Sequence, residues 1–131
     1  MSLCLAAAGL AVEIAASTFT LAWTHTIEKT EWHEDWRVDG GRLVLERARV
    51  KGSGAGMEPP AEARLEDGFY VWEPAIARGE IVLRRDPHAG DWRLCAAGHC
   101  APLGEWLGSD AEPVRLLPCP SRVIPRPASE F

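Results

Sequence analysis

Trp23-Thr24-His25-Thr26-Ile27-Glu28-Lys29-Thr30-Glu31-Trp32-His33-Glu34-Asp35-Trp36 is the stretch whose reading decides the fold. Its first half continues an alternation that begins at Phe19. Phe19, Leu21, Trp23, His25 and Ile27 fall on one parity, and Thr20, Ala22, Thr24, Thr26 and Glu28 on the other. Period two with β-branched and aromatic residues is the pattern of a half-buried strand. Lys29-Thr30 reads as a tight connection. Trp32, Trp36 and Val38 then share a face of the returning strand, with Glu34 between them. The stretch also concentrates chemistry: three of the six Trp, two of the four His, and the carboxylates of Glu28, Glu31, Glu34 and Asp35.

Outward from this hairpin, the chain keeps the same character. Asp39-Gly40-Gly41 is a hairpin-turn signal, and residues 43–51 form the next strand. Gly52, Gly54 and Gly56 at alternate positions, followed by Pro59-Pro60, leave a shaped loop rather than a helix or regular strand. Residues 61–66 read as a helical turn, and Asp67-Gly68 opens a strand at 69–73. Residues 81–84 and 92–96 are further strands, Ala96-Ala97-Gly98-His99 is a four-residue turn, 103–107 a single helical turn, and 114–117 the last strand. Toward the N-terminus, Leu3, Leu5 and Ala7 share one parity and Leu10, Val12 and Ile14 the other, so the switch near Gly9 reads as a bulge. Residues 2–16 are apolar enough to suggest a leader, but no positive region precedes them and Glu13 interrupts them. They are also too short to span a membrane. Read as strand, they place the chain as written in the cytoplasm, without a transmembrane segment.

The 131 residues amount to one domain, 47% hydrophobic and 25% charged. A formal charge of −5 and a pI near 5.3 argue against nucleic acid or an anionic membrane as partner. Lys29 and Lys51 are the two Lys; the other basic residues are Arg, which compositional bias accounts for. Short strands at regular spacing with glycine turns predict an all-β fold: a single-domain antiparallel sandwich or flattened barrel of about eight short strands. It would cover residues 1–120, with a loose Pro-rich tail over 121–131.

The segments from Trp23 to Lys29, Glu34-Asp35-Trp36, Lys51 to Pro60 and Asp91-Trp92-Arg93-Leu94-Cys95 together resemble the domain-of-unknown-function family 1850. The resemblance runs from about Leu3 to Cys119, with Thr24-His25-Thr26 where the family usually has Thr-His-Ser. It implies a small bacterial protein, of a kind often encoded beside TAXI-type TRAP transporters that import organic acids. It brings no catalytic residues with it and implies no cofactor. A transporter component as partner is implied by association alone.

Each candidate site has a plainer competitor. The G-x-G-x-G of residues 52–56 has Pro59-Pro60 behind it instead of a helix, so it is no dinucleotide fingerprint. Ser53 lacks the flanking pattern of a nucleophile elbow. What remains is a backbone nest able to cup an anion, against a tight crossover whose glycines only permit close packing. His25 lies on the apolar parity, where a hydrogen-bonded core imidazole competes with an acid–base group partnered by Glu28, Glu34, Glu58 or Lys29. His25, His33, Glu28 and Glu34 lack any recognised zinc spacing, as do Cys95, His99, Cys100 and Cys119, so no metal is expected. Cys95 and Cys100 flank a turn and can face each other across a hairpin, and Cys4 and Cys119 lie in the first and last strands; two disulfides are therefore reasonable. They would argue for an oxidising compartment such as the periplasm. Most Trp should fill the core, with Trp36 and Trp72 beside charged residues as pocket walls.

These readings combine into a binding or accessory module. Its small-anion site would lie between the Trp23–Trp36 hairpin and the glycine loop. Trp23, His25, Glu28, Lys29, Glu34, Trp36, Lys51, Gly52, Ser53, Gly54, Gly56 and Glu58 would line that site, with a small organic carboxylate as ligand. One alternative is a small enzyme using His25 with Glu28 or Glu34; another is an interaction protein docking a membrane partner through a strand edge. A nest predicts positive φ at Gly54 or Gly56. Replacing either by Ala then costs about 1 kcal/mol or more and lowers the thermal midpoint. A midpoint unchanged in both variants would show a permissive loop.

Overall fold

Two-residue turns set the topology. Ala8 and Gly9 hold φ of 46° and 83°, Asp67 and Gly68 of 50° and 84°, and Ala97 and Gly98 of 52° and 77°. Paired positive φ values give a turn whose twist matches that of the flanking strands. The computed structural model describes residues 1–24, 30–51, 59–86 and 90–120. The first turn joins β1 (Leu3–Ala7) to β2 (Leu10–Ile14), so the parity switch near Gly9 is a hairpin and not a bulge. Next come β3 (Thr18–Thr24), β4 (Glu31–Asp39) and β5 (Arg42–Lys51). Gly40, at φ 62°, begins the expected turn between the last two.

The second turn joins β6 (Arg64–Glu66) to β7 (Phe69–Trp72), so a strand stands where a helical turn was expected. Then follow β8 (Ile76–Arg78), β9 (Ile81–Leu83), β10 (Arg93–Ala96), β11 (His99–Pro102), the short helix α1 (Leu103–Leu107) and β12 (Val114–Pro118). Twelve strands among the described residues replace the expected eight or so because several have three or four residues and the N-terminal segment is two strands.

The result is an all-β antiparallel sandwich, not a closed barrel. One sheet has the order β2-β1-β12-β9; the larger runs β11-β10-β3-β4-β5-β7-β6, with β8 also paired to β5. Leu3, Leu5, Val114 and Leu116 of the small sheet pack against Phe19, Leu21, Trp36, Leu43 and Leu94 of the large one, and Leu103 of α1 joins them. Each such side chain contributes on the order of 1.5–3 kcal/mol by leaving water. The tail expected at 121–131 lies outside the described residues.

A charged clamp closes one end. Asp91 accepts both Nε and Nη2 of Arg85, at 3.1 and 2.8 Å, together with the backbone N–H of Gly104 at 2.8 Å. Nη1 of Arg85 donates to the carbonyls of Ser109 and Ala111, both at 2.9 Å. A Cβ at Gly104 would stand 3.2 Å from Arg85 Nη2 and 3.3 Å from Asp91 Oδ2, so glycine lets the helix start approach the pair.

Both cysteine pairs are joined. Cys95 and Cys100 are direct cross-strand partners of β10 and β11. Cys4 of β1 is bonded to Cys119 just after β12, where Cys119 N–H also donates to the Ser2 carbonyl at 3.0 Å. Because the second bridge spans 115 residues and the first spans 5, their entropic effects differ. Cys4→Ser with Cys119→Ser is expected to cost about 2–5 kcal/mol, more than Cys95→Ser with Cys100→Ser. Thermal unfolding of the two double variants checks the order. Four free thiols by intact mass in oxidised protein would remove its basis.

Candidate functional site

The site begins with one extra residue. β4 and β5 pair in step from Glu31–Lys51 to Asp35–Arg47, then jump to Trp36–Leu45, leaving Glu46 without an opposite number. A bulge of this kind reverses the alternation of its strand. Ala48 and Val50 face inward on one side of it, Leu43 and Leu45 on the other, and all four are buried. The neighbouring chain follows the break. β7 pairs with residues 48–51 and β8 with residues 43–45, the chain stepping past through Glu73, Pro74 and Ala75, the last at φ 55°. Gly79 and Glu80 then carry it across to β9 in the small sheet.

Direct cross-strand partners share a face. Trp36, Glu34 and Trp32 of β4 stand opposite Phe19, Leu21 and Trp23 of β3, so Glu34 lies on the inner face among apolar partners. Four indoles form a row there. Trp92 meets Trp23 at 4.8 Å between centroids, Trp23 stacks on Trp32 at 5.9 Å, and Trp72 meets Trp32 edge-on at 6.3 Å. Trp36 is buried and stacks against Phe19 at 6.3 Å. The other five Trp are half-buried, and Trp23, Trp92 and Trp106 among them pack against the core.

Glu34 lines a cleft of about 370 Å³ with Trp36, Leu45, Ile76, Arg78, Glu80, Ile81 and Val82. Ile76 is 37% exposed and Val82 47%, so the cleft presents apolar surface to solvent. Burial pushes the Glu34 carboxyl above its ordinary value, and the Trp36 indole N–H donating to it at 3.1 Å only partly offsets this. No cation among the described residues pairs with Glu34. Glu80 is tied to Arg115 at 2.7 Å. Arg78 donates Nη1 to the carbonyl of Ala77 at 3.0 Å. A larger hollow of about 700 Å³ lies between Met1 and the exit of β12, lined mostly by Gly, Pro and small residues, with Glu13 as its one charged side chain among the described residues.

Asp35, one residue on, faces the other way and has the opposite environment. It accepts Thr20 Oγ1 at 2.7 Å, Arg47 Nε at 3.0 Å and Arg49 Nη2 at 2.9 Å. Burial works to raise its pKa, but the hydroxyl and the two guanidiniums outweigh it and hold the carboxyl below its ordinary value. His33 shares this outer face, 2.7 Å from Glu31 Oε1 and edge-on to Phe69 at 5.3 Å.

The structure thus brings Trp23, Glu34 and Trp36 to one face. Lys51 is not with them: it pairs with Glu31 and Phe69 on the outer face, its ammonium 5.9 Å from the Phe69 ring centroid. The bulge is the cause, because it sets Val50 inward and Lys51 outward. His25, Glu28, Lys29, Gly52, Ser53, Gly54, Gly56 and Glu58 lie outside the described residues. Among the described residues no group of three or more His, Cys, Asp or Glu could hold a metal, and the four Cys are bonded to one another. Ile76, Arg78, Ile81 and Val82 were missed as site residues. The alternation of Ile76 and Arg78 with small Ala75 and Ala77 was the available signal, and it lasts only four residues.

These features define a small two-sheet β-sandwich with an open cleft at the seam between its sheets. The chain belongs to the family described as domain of unknown function (DUF1850), whose model matches residues 19–103. That span holds the cleft's β4, β5, β8 and β9 and leaves out β1, β2 and β12. No curated protein and no solved structure matches the chain.

Glu34 and Asp35 predict opposite pH signatures. The folded pKa of Glu34 is raised, so its burial penalty is absent below the unfolded value of about 4.3 and is fully present above the folded one. Glu34→Gln is therefore expected to raise the thermal midpoint at pH 7 and to leave it little changed near pH 4. The folded pKa of Asp35 is lowered, so its contribution is present above the unfolded value of about 3.9 and is lost as pH falls through the folded one. Asp35→Asn should cost about 1.5–3 kcal/mol at pH 7, since it weakens hydrogen bonds to a charged group. Midpoints of both variants across this pH range decide it; shifts of the same sign at pH 7 would overturn the contrast.

Proposed function

We propose that the chain is a non-catalytic binding module whose small organic ligand sits in the Glu34 cleft. The observation that carries this reading is a desolvated carboxyl, unpaired with any described cation, at an open cleft walled by Trp36, Leu45, Ile76, Ile81 and Val82. The Trp36 indole occupies one oxygen of this carboxyl, and spare acceptor capacity beside solvent-open apolar surface is what a ligand site needs. The volume suits a small ligand, near the lower end of such pockets. Binding is favoured over catalysis because neither described histidine stands by Glu34: His33 is on the opposite face and His99 packs against Trp106 at 5.2 Å. A carboxyl without an acid–base partner among the described residues is suited to holding charge rather than relaying protons.

A second reading keeps the organic carboxylate and the association with carboxylate transport. Arg78, at the same cleft, has no carboxylate partner among the described residues, and a guanidinium is suited to bidentate carboxylate recognition. The two disulfides support an oxidising compartment, the periplasm in a bacterium, over the cytoplasm. An NMR titration of labelled protein with a panel of small organic molecules tests the site. The Trp36 indole N–H and the methyls of Ile76 and Ile81 should shift together. Shifts confined to another surface, or no shift at millimolar ligand, would remove the proposal.

A further inference from the structure

We propose that the cleft recognises an organic ammonium ion with an apolar body, Glu34 supplying the counter-charge. The inference rests on the binding reading above and names the class of ligand. Among the described residues Glu34 enters the cleft with one hydrogen bond, from Trp36 Nε1 to its Oε1, leaving Oε2 with acceptor capacity. A carboxylate drawn out of water is stabilised most by an opposite charge brought to it, because the local dielectric is low. An ammonium brings that charge with up to three donors.

The walls fit the rest of such a molecule. Leu45, Ile76, Ile81 and Val82 offer aliphatic surface, and the Trp36 ring system adds the aromatic surface that attracts cations. The protein's charge of −5 raises the local concentration of cations over anions. The charged groups facing Glu34 across the cleft are Arg78 from β8 and Glu80 from the β8–β9 connection, with Arg115 of β12 held on Glu80. Glu80 is thereby neutralised, which leaves Glu34 as the cleft's unpaired anion among the described residues and Arg78 as the ligand's competitor for it. Lys51, one of the two lysines expected to line an anion site, is on the other face of the sheet.

Three probes of matched length separate the possibilities: n-hexylamine, n-hexanol and n-hexanoate, each titrated into the full chain with the Trp36 indole N–H as reporter. Hexylamine is expected to bind tightest. Glu34→Gln should weaken it by about tenfold or more, the loss of a hydrogen-bonded charge partner, and Arg78→Ala should tighten it. Binding should also weaken as pH falls through the raised pKa of Glu34, with the step absent from Glu34→Gln and present in Glu80→Gln. Glu34→Gln is nearly isosteric and relieves a buried charge, so it should fold; Ile76→Ala, which trims the exposed wall, should weaken hexylamine and hexanol alike. If hexanol binds as tightly as hexylamine, the cleft is a site but the ammonium is wrong. If hexanoate binds tightest and Arg78→Ala abolishes it, the ammonium is overturned and the carboxylate reading stands. If none of the three moves the Trp36 signal, both the ammonium and the cleft are overturned.

Discussion

A ten-residue strand bent across a sandwich must keep its apolar side chains inward while its partners change, and Glu46 is where β5 meets that demand. Strict alternation from Leu43 would put Ala48 and Val50 on the outer face and Arg47, Arg49 and Lys51 against the core. One unpaired residue prevents this. The same break divides the next position of the sheet between β7 and β8, and the short β8 then delivers the chain to β9. The cleft follows from that crossing, since the large sheet runs on past the seam toward Trp32, Trp23 and Trp72. The bulge therefore sets the core register, the route between the sheets and the position of the candidate site.

Glu34 and Asp35 show how the two faces handle the same functional group. Outside, Asp35 has a hydroxyl and two guanidiniums within 3.0 Å, a satisfied network of the kind that stabilises a partly buried charge. Inside, Glu34 has an indole N–H and apolar neighbours. The Leu21 and Ala48 partners of Glu34 show that an apolar residue would suit this position for packing alone. A carboxyl kept there costs stability at neutral pH, and departures from local consistency of this kind are expected where a protein has a function to serve.

The β character, the hairpin turns at residues 39–41 and 96–99, the helical turn and both cysteine pairs were legible because each rests on local signals: alternation, glycine placement and terminal position. The Trp23–Trp36 stretch did mark the strand that carries Glu34. What could not be read was the bulge. Its signature, the parity change from Leu43 and Leu45 to Ala48 and Val50, looks like an ordinary mixed strand until the partner register is known. The same parity change is what sets Lys51 on the outer face, beside Glu31 and Phe69. β6 and β8 were hidden by brevity, since three residues give no periodicity, and with β8 went Ile76 and Arg78. The misread at Gly9 has a related cause: a bulge and a two-residue hairpin both reverse parity, and only pairing between β1 and β2 distinguishes them.

The small sheet must hold its place for the cleft to exist, and its own strands are modest in bulk: β1 and β2 between them include three Ala, Ala6, Ala7 and Ala11. Leu3, Leu5, Val114 and Leu116 are its main anchors. The remaining constraint comes from its ends. The Cys4–Cys119 bridge fastens β1 to the exit of β12, while the Arg85–Asp91 clamp fixes the exit of β9 to the start of β10, to Gly104 of α1 and to the approach to β12. β9 and β12 are neighbours, so the two fastenings act on opposite ends of one strand pair. That pair carries Ile81 and Val82 at the cleft wall and Arg115, which neutralises Glu80. The chain thus places its covalent and ionic restraints where they hold one wall against the other. The carboxyl of Glu34, which no cation among the described residues pairs, faces the cleft that this strand pair borders.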